Sequence, residues 1–205
     1  MASVEKVYFS GELGQLEGVL HLPDEKPVAL ALIAHPLPTM GGTMEHKIVT
    51  TLARGFVELG YAALRFNFRG VGESVGAYDA GNGETHDAIA AAEFLRARYP
   101  DLDLLCAGFS FGGYVQARAA AVIQPTRLVL IAPAVSRFAM PDVAANTLVI
   151  HGDEDEVVAF SAALAWAKPQ QLPILVLPGA GHFFHGRMVQ LKQLVMQQVR
   201  CIVSV

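Results

Sequence analysis

The chain has 205 residues, of which 53% are hydrophobic and 17% charged, with a formal net charge of −4. Disordered chains are poor in apolar residues and rich in charge, so disorder is excluded. The longest apolar runs, such as 28–34, fall far short of the ~18 residues a membrane-spanning helix needs, and the scattered Lys and Arg residues make no basic footprint for nucleic acid.

Taken in chain order, Val4–Ser10 and Leu16–Leu22 predict an antiparallel hairpin with Gly11 and Gly14 in its turn. Val28–Ala34 reads as a buried strand. Met44–Leu59 predicts a helix, because Ile48, Leu52, Phe56 and Leu59 recur at steps of four and three on one face. A strand follows at Tyr61–Phe66, then a helix at Glu84–Tyr99 that ends against Pro100. Leu102–Ala107 is a strand and Phe111–Ile123 an Ala-rich helix ending before Pro125. Strands at Leu128–Ile131 and Thr147–Ile150 precede a helix at Phe160–Ala167, which ends before Pro169. A strand at Ile174–Leu177 and an amphipathic helix at Met188–Val203 close the chain.

This alternation implies one α/β domain over residues 1–205, a three-layer α/β/α sandwich around a mainly parallel sheet. Strands buried on both faces absorb the apolar surplus. No repeat or linker interrupts the pattern. Cys106 lies in a strand run and Cys201 in the apolar C-terminal segment, so both are expected as reduced core or near-core thiols. The first residues lack a charged-then-apolar leader pattern, which favours the cytoplasm.

In parallel sheets the site lies beyond the carboxyl ends of the strands. Gly108-Phe109-Ser110-Phe111-Gly112 matches G-x-S-x-G and sits between a strand and a helix. There a sharp turn exposes the serine above the sheet, next to a helix N-terminus that favours negative charge. A second match, Gly72-Glu73-Ser74-Val75-Gly76, has no helix after it. Ser74 is therefore read as a turn or capping hydroxyl and Ser110 as the nucleophile.

A serine needs a base, and the base an orienting acid. His151-Gly152-Asp153-Glu154-Asp155-Glu156 follows one strand and Pro178-Gly179-Ala180-Gly181-His182 follows the next. The chain order is thus serine, acid, histidine. His182 is the expected base. Asp153, closer to the strand end, and Asp155 are both candidates for the acid; Glu154 and Glu156 read as solvated loop charges. An oxyanion hole needs two donors. The N–H of Phe111 is one. In His35-Pro36-Leu37-Pro38 the prolines have no N–H, leaving Leu37 as the other, with Gly41-Gly42 beside it allowing close approach of backbone to a ligand.

His35 and His151 end strands and are expected to be structural. His185 could lie near the mouth, while His21, His46 and His86 have no supporting pattern. No spacing fits a zinc site, so neither metal nor cofactor is expected. The segment from Ala134 to Asn146 is too short for a helical cap. An open site is expected, with Phe111, Met140, Phe183 and Phe184 as wall candidates.

Taken together, His35-Pro36-Leu37-Pro38, Arg69-Gly70-Val71-Gly72-Glu73-Ser74, the Ser110 elbow, Gly152-x-x-Asp155-x-x-Val158 and Gly181-His182 resemble the α/β-hydrolase superfamily. The resemblance covers essentially the whole chain. It points to the small lidless branch near dienelactone-hydrolase-like and carboxylesterase-like proteins. Dienelactone hydrolases use a cysteine nucleophile, so serine at 110 departs from them and points to a serine hydrolase. The resemblance implies Ser110, Asp155 and His182 as a catalytic triad, with the acid three residues after Gly152. It implies an esterase acting on small or short-chain acyl substrates; from the composition above, neither nucleic acid nor membrane is expected as a partner. A thioesterase, amidase, lactonase or perhydrolase would use the same triad, and a non-catalytic binder would need none of it.

Overall fold

A computed structural model of the protein describes residues 3–200. The hairpin is β1 (Ser3–Ser10) and β2 (Gln15–Leu22). Then come β3 (Ala29–Ala34), α1 (Lys47–Glu58), β4 (Tyr61–Phe66), α2 (Asn82–Arg98), β5 (Leu104–Phe109) and α3 (Phe111–Ile123). The chain continues through β6 (Arg127–Ile131), β7 (Leu148–Gly152), α4 (Phe160–Ala167), β8 (Ile174–Leu177) and α5 (Met188–Val199).

The eight strands form one sheet in the order β1-β2-β4-β3-β5-β6-β7-β8. β1, β2 and β4 pair antiparallel in sequence, and every pair from β4–β3 onward is parallel. Side chains alternate between the faces with the strand period of two. On β3, Leu30, Leu32 and Ala34 enter a cluster with α2 and α3 residues such as Ala91, Leu95 and Val115. Ala29, Ala31 and Ile33 enter the opposite cluster with Ile48, Leu52 and Phe56 of α1 and Leu191 and Val195 of α5. β3, β4, β5 and β7 are buried at every position, as a sheet covered on both faces requires.

Element boundaries differ from the sequence expectation where side chains cap helices. α1 starts at Lys47 rather than Met44, because residues 43–46 form a turn and His46 Nδ1 accepts from the Ile48 N–H. α2 starts at Asn82 rather than Glu84. The Glu84 carboxylate reaches back to accept from the Asp79 and Gly81 N–H groups at 2.8 and 2.7 Å, so Glu84 sits inside the first turn and satisfies donors before it. β5 runs two residues later than expected, ending at Phe109. It therefore delivers the chain directly into the Ser110 turn.

Cys106 is fully buried as a free thiol, and burial pushes its pKa up to about 12. Cys201 lies outside the described residues, as does the expected end of the last helix. No helix among the described residues is long and apolar enough to cross a membrane.

Candidate active site

Ser110 occupies the single residue between β5 and α3, with φ 52° and ψ −114°. Positive φ is costly for a non-glycine residue, and neighbouring backbone holds it. The Ser110 N–H donates to the Ile131 carbonyl at 2.9 Å, and its own carbonyl accepts from Gly113 at 3.0 Å. The flanking glycines are there for space. A Cβ on Gly108 would collide with the Gly112 carbonyl, and one on Gly112 with the Ala34 carbonyl. The elbow is thus pressed against its own next turn and against the end of β3.

The Ser110 hydroxyl stands 3.1 Å from His182 Nε2, and His182 Nδ1 lies 2.7 Å from Asp155 Oδ2. Ionised Asp155 can only accept, so Nδ1 carries the proton and Nε2 accepts from the serine. Asp155 Oδ1 accepts from the Val157 and Val158 N–H groups at 2.9 and 2.7 Å. Burial alone would raise the Asp155 carboxyl. The hydrogen bonds from His182 and from the two amides outweigh that and hold it below its ordinary value.

The rest of the acid turn grips the histidine loop. Asp153 Oδ1 accepts from the Gly179 N–H at 2.6 Å and so does not contact His182. Glu156, read from sequence as a solvated charge, is exposed, yet its Oε2 accepts from the His182 backbone N–H at 3.1 Å. The Glu154 N–H donates to the Ala180 carbonyl at 3.2 Å. Two carboxylates and one amide of the turn thereby position the loop that carries His182. Sequence carried no signal for these pairings, because each depends on how two loops meet.

Leu37 and Phe111 lie beside Ser110 around one cavity of about 290 Å³. No hydrogen bond within the described residues takes up either N–H, so both are available as donors. Behind them His35 is fully buried. Its Nε2 accepts from the Phe68 N–H at 3.1 Å and its Nδ1 donates to the Pro36 carbonyl at 2.7 Å. His151 Nε2 donates to the Val158 carbonyl at 2.8 Å, below Asp155. Burial lowers both imidazoles, His35 to about 4.

The cavity walls correct part of the sequence reading. Phe111 and Phe183 line the cavity, but Phe184 and Met140 do not. The chain turns at 181–184, with the Phe184 N–H bonded to the Gly181 carbonyl. That turn sends Phe183 outward and Phe184 into the core below α1 and α5. Met140 packs on the α2–α3 side. Met40, Phe138, Val157 and Val158 form the wall instead. Met40 ends a single 3-10 turn (Pro38–Met40) and the others come from irregular loops, where no periodicity marks a facing residue. His46, which no pattern singled out, also lines the cavity and stacks on Phe109 at 5.1 Å. His185 is exposed and lies outside the lining, 5.9 Å from the Phe183 ring. His21 accepts from Arg65, and His86 meets Glu12. No group of three His, Cys, Asp or Glu among the described residues could hold a metal ion.

A serine on a strand–helix elbow at the carboxyl edge of an uncapped, mostly parallel sheet defines a lidless α/β serine hydrolase. Residues 26–144 match the family described as serine aminopeptidase, S33, and the chain belongs to that family within the α/β-hydrolase superfamily. The structure is similar to a lidless α/β serine hydrolase from Xanthomonas campestris, with 40% identity, a TM-score of 0.93, and coverage of 99% of this chain and 96% of that one. It is also similar to an α/β serine hydrolase homologue from Coxiella burnetii, with 38% identity, a TM-score of 0.89, and coverage of 95% and 97%. An uncharacterised protein of Rickettsia prowazekii is 30% identical over 203 residues, covering 87% of this chain and 82% of its own.

Proposed function

We propose that the protein is a carboxylesterase that cleaves esters of small or short-chain acyl groups through Ser110, His182 and Asp155. The observation that carries the reading is the continuous Asp155–His182–Ser110 hydrogen-bond chain opening into an apolar cavity. His182 takes the serine proton as Oγ attacks the acyl carbon. Asp155 holds the imidazole tautomer and stabilises the imidazolium. The Leu37 and Phe111 N–H groups receive the oxyanion. His182 then protonates the leaving alkoxide, and water attacks the acyl-enzyme by the same steps.

The family description raises an aminopeptidase as the second reading. The lining argues for the ester. An aminopeptidase substrate presents an α-ammonium, which needs a carboxylate partner when desolvated. No described residue lining the cavity is acidic, and Arg137 at its edge adds positive charge. Leu37, Met40, Phe111, Phe138, Val157 and Phe183 suit an apolar acyl group.

The test is a fluorophosphonate probe with peptide mapping, together with turnover of p-nitrophenyl acetate, butyrate and longer esters beside aminoacyl p-nitroanilides. Labelling at Ser110 with short-ester turnover supports the reading. Labelling that persists in Ser110→Ala, or anilide turnover exceeding ester turnover, overturns it.

A further inference from the structure

We propose that His35 is a positioning residue that sets the aim of the Leu37 oxyanion donor; this rests on the serine-esterase reading above. The Leu37 N–H belongs to the peptide group whose carbonyl is that of Pro36. In a planar trans peptide the C=O and N–H point in opposite directions. Whatever fixes the Pro36 carbonyl therefore fixes the direction of the Leu37 N–H.

The Pro36 carbonyl is held from two sides. His35 Nδ1 donates to it at 2.7 Å. Gly42 lies against it so closely that a Cβ there would collide with the Pro36 carbonyl and reach 2.7 Å from the Leu37 oxygen. The Gly42 and Met40 N–H groups both donate to that Leu37 oxygen, at 3.0 and 3.1 Å. The peptide thus has one orientation, carbonyl toward the buried ring and N–H away from it. Leu37 and Pro36 line the same cavity as Ser110.

The ring itself can serve only in one protonation state. Its Nε2 accepts from the Phe68 N–H at 3.1 Å, so the proton sits on Nδ1, where the Pro36 carbonyl needs it. Phe68 lies two residues beyond the end of β4, and its ring packs 4.5 Å from that of His35. The strand ends of β3 and β4 are joined through one imidazole, and the oxyanion loop is anchored on that joint. Burial without an acidic neighbour keeps the ring neutral. Burial outweighs the opposing effect of the Pro36 carbonyl, and His46 disfavours protonation further.

Two variants separate aim from scaffold. In His35→Asn the amide Nδ2 replaces Nδ1, keeping the donor to Pro36 and losing the acceptor for Phe68. In His35→Gln the longer amide replaces Nε2, keeping the Phe68 acceptor and losing the Pro36 donor. The readouts are kcat and KM for p-nitrophenyl butyrate, Ki for a trifluoromethyl ketone that forms the tetrahedral adduct, and thermal stability. Losing one oxyanion donor outright costs about 10²–10³-fold, so partial loss of aim in His35→Gln should lower kcat by about 10–100-fold. Its KM should stay within about twofold, and Ki should weaken in step with kcat/KM, because only transition-state binding is affected. His35→Asn should retain most of kcat while losing more thermal stability. Gly42→Ala, which pushes the same peptide without touching the ring, should reproduce the His35→Gln pattern if that variant does not fold.

A kcat that follows thermal stability instead, with His35→Asn the slower enzyme, overturns the proposal. So does a Ki unchanged in His35→Gln, or in Gly42→Ala where that variant stands in. If the wild type shows no Ser110-dependent turnover, the esterase reading has failed first, and the positioning role falls with it.

Discussion

The chain carries the same five-residue pattern twice, at Gly108–Gly112 and at Gly72–Gly76, and uses the two serines in opposite ways. Both are buried, Ser110 with 8% and Ser74 with 6% of its surface exposed. The Ser110 hydroxyl meets only a side chain, His182. The Ser74 hydroxyl is consumed by backbone. It accepts from the Glu17 N–H at 3.1 Å and donates to the Asn67 carbonyl at 2.7 Å. The difference lies in what flanks the pattern. β5 enters the first and α3 leaves it, so the hydroxyl projects beyond the sheet edge where loops from other strands can reach it. The second closes a tight turn, with the Gly70 N–H bonded to the Ser74 carbonyl, and lies folded back on β2. A serine becomes a nucleophile when its hydrogen bonds are left for a base, and a structural pin when the backbone takes them.

The strongest way to break this contrast is to remove each hydroxyl. Ser110→Ala should lower kcat/KM for p-nitrophenyl butyrate by about 10⁶-fold; a loss below tenfold would dissolve the distinction between the two serines. Next, Asp155→Asn should cost about 10⁴-fold in kcat, because the imidazole tautomer is no longer held. Asp153→Asn, which leaves the His182 contact intact and touches only Gly179, should cost far less. The reverse order would move the acid to Asp153.

A smaller effect tests the joint behind Leu37. Burial takes the His35 imidazole from 6.5 to about 4. Below pH 6.5 the unfolded chain takes up a proton that the native ring refuses, so stability falls as pH drops and the loss is complete below about 4. At about 1.36 kcal/mol per pH unit this amounts to about 3 kcal/mol. His21, lowered to about 4 as well, acts over the same window. The His35 share is therefore the difference between the wild type and His35→Asn in denaturant titrations at pH 7 and pH 4. Equal slopes would remove it. Smallest, Ser74→Ala leaves the Glu17 N–H unpaired in a buried site and should cost about 1–3 kcal/mol of stability. Its kcat should fall far less than that of Ser110→Ala, since the Ser74 hydroxyl meets the Glu17 N–H and the Asn67 carbonyl and no group of the Ser110–His182–Asp155 chain. A large loss of kcat would mean that the second pattern takes part in catalysis.

Much of the frame was legible along the chain. β4, β8, α3 and α4 have the boundaries that their apolar runs and flanking Pro and Gly residues predict. Ser110 and His182 stand out by their places after strands, and Asp155 by the resemblance to the α/β-hydrolase pattern rather than by place, since Asp153 lies closer to its strand; the three side chains meet within hydrogen-bond distance. What escaped sequence reading came from irregular segments. Met40, from a single 3-10 turn, and Phe138 and Val157, from loops, face the cavity with no period to reveal a facing side. Phe183 and Phe184 are adjacent and chemically identical, and only the turn at 181–184 decides which is wall and which is core.

By itself, then, the sequence determined the alternation of strands and helices, the burial of the sheet and the place of the elbow, because local periodicity and steric need at glycine are written in neighbouring residues. The tertiary structure alone decided which hydroxyl is free, which of four acids reaches the His182 imidazole and where the Leu37 N–H points. These depend on pairs such as Ser110 and His182, 72 positions apart, and on the strand order that brings their loops together. No local pattern encodes a distance between segments that only the assembled sheet makes neighbours.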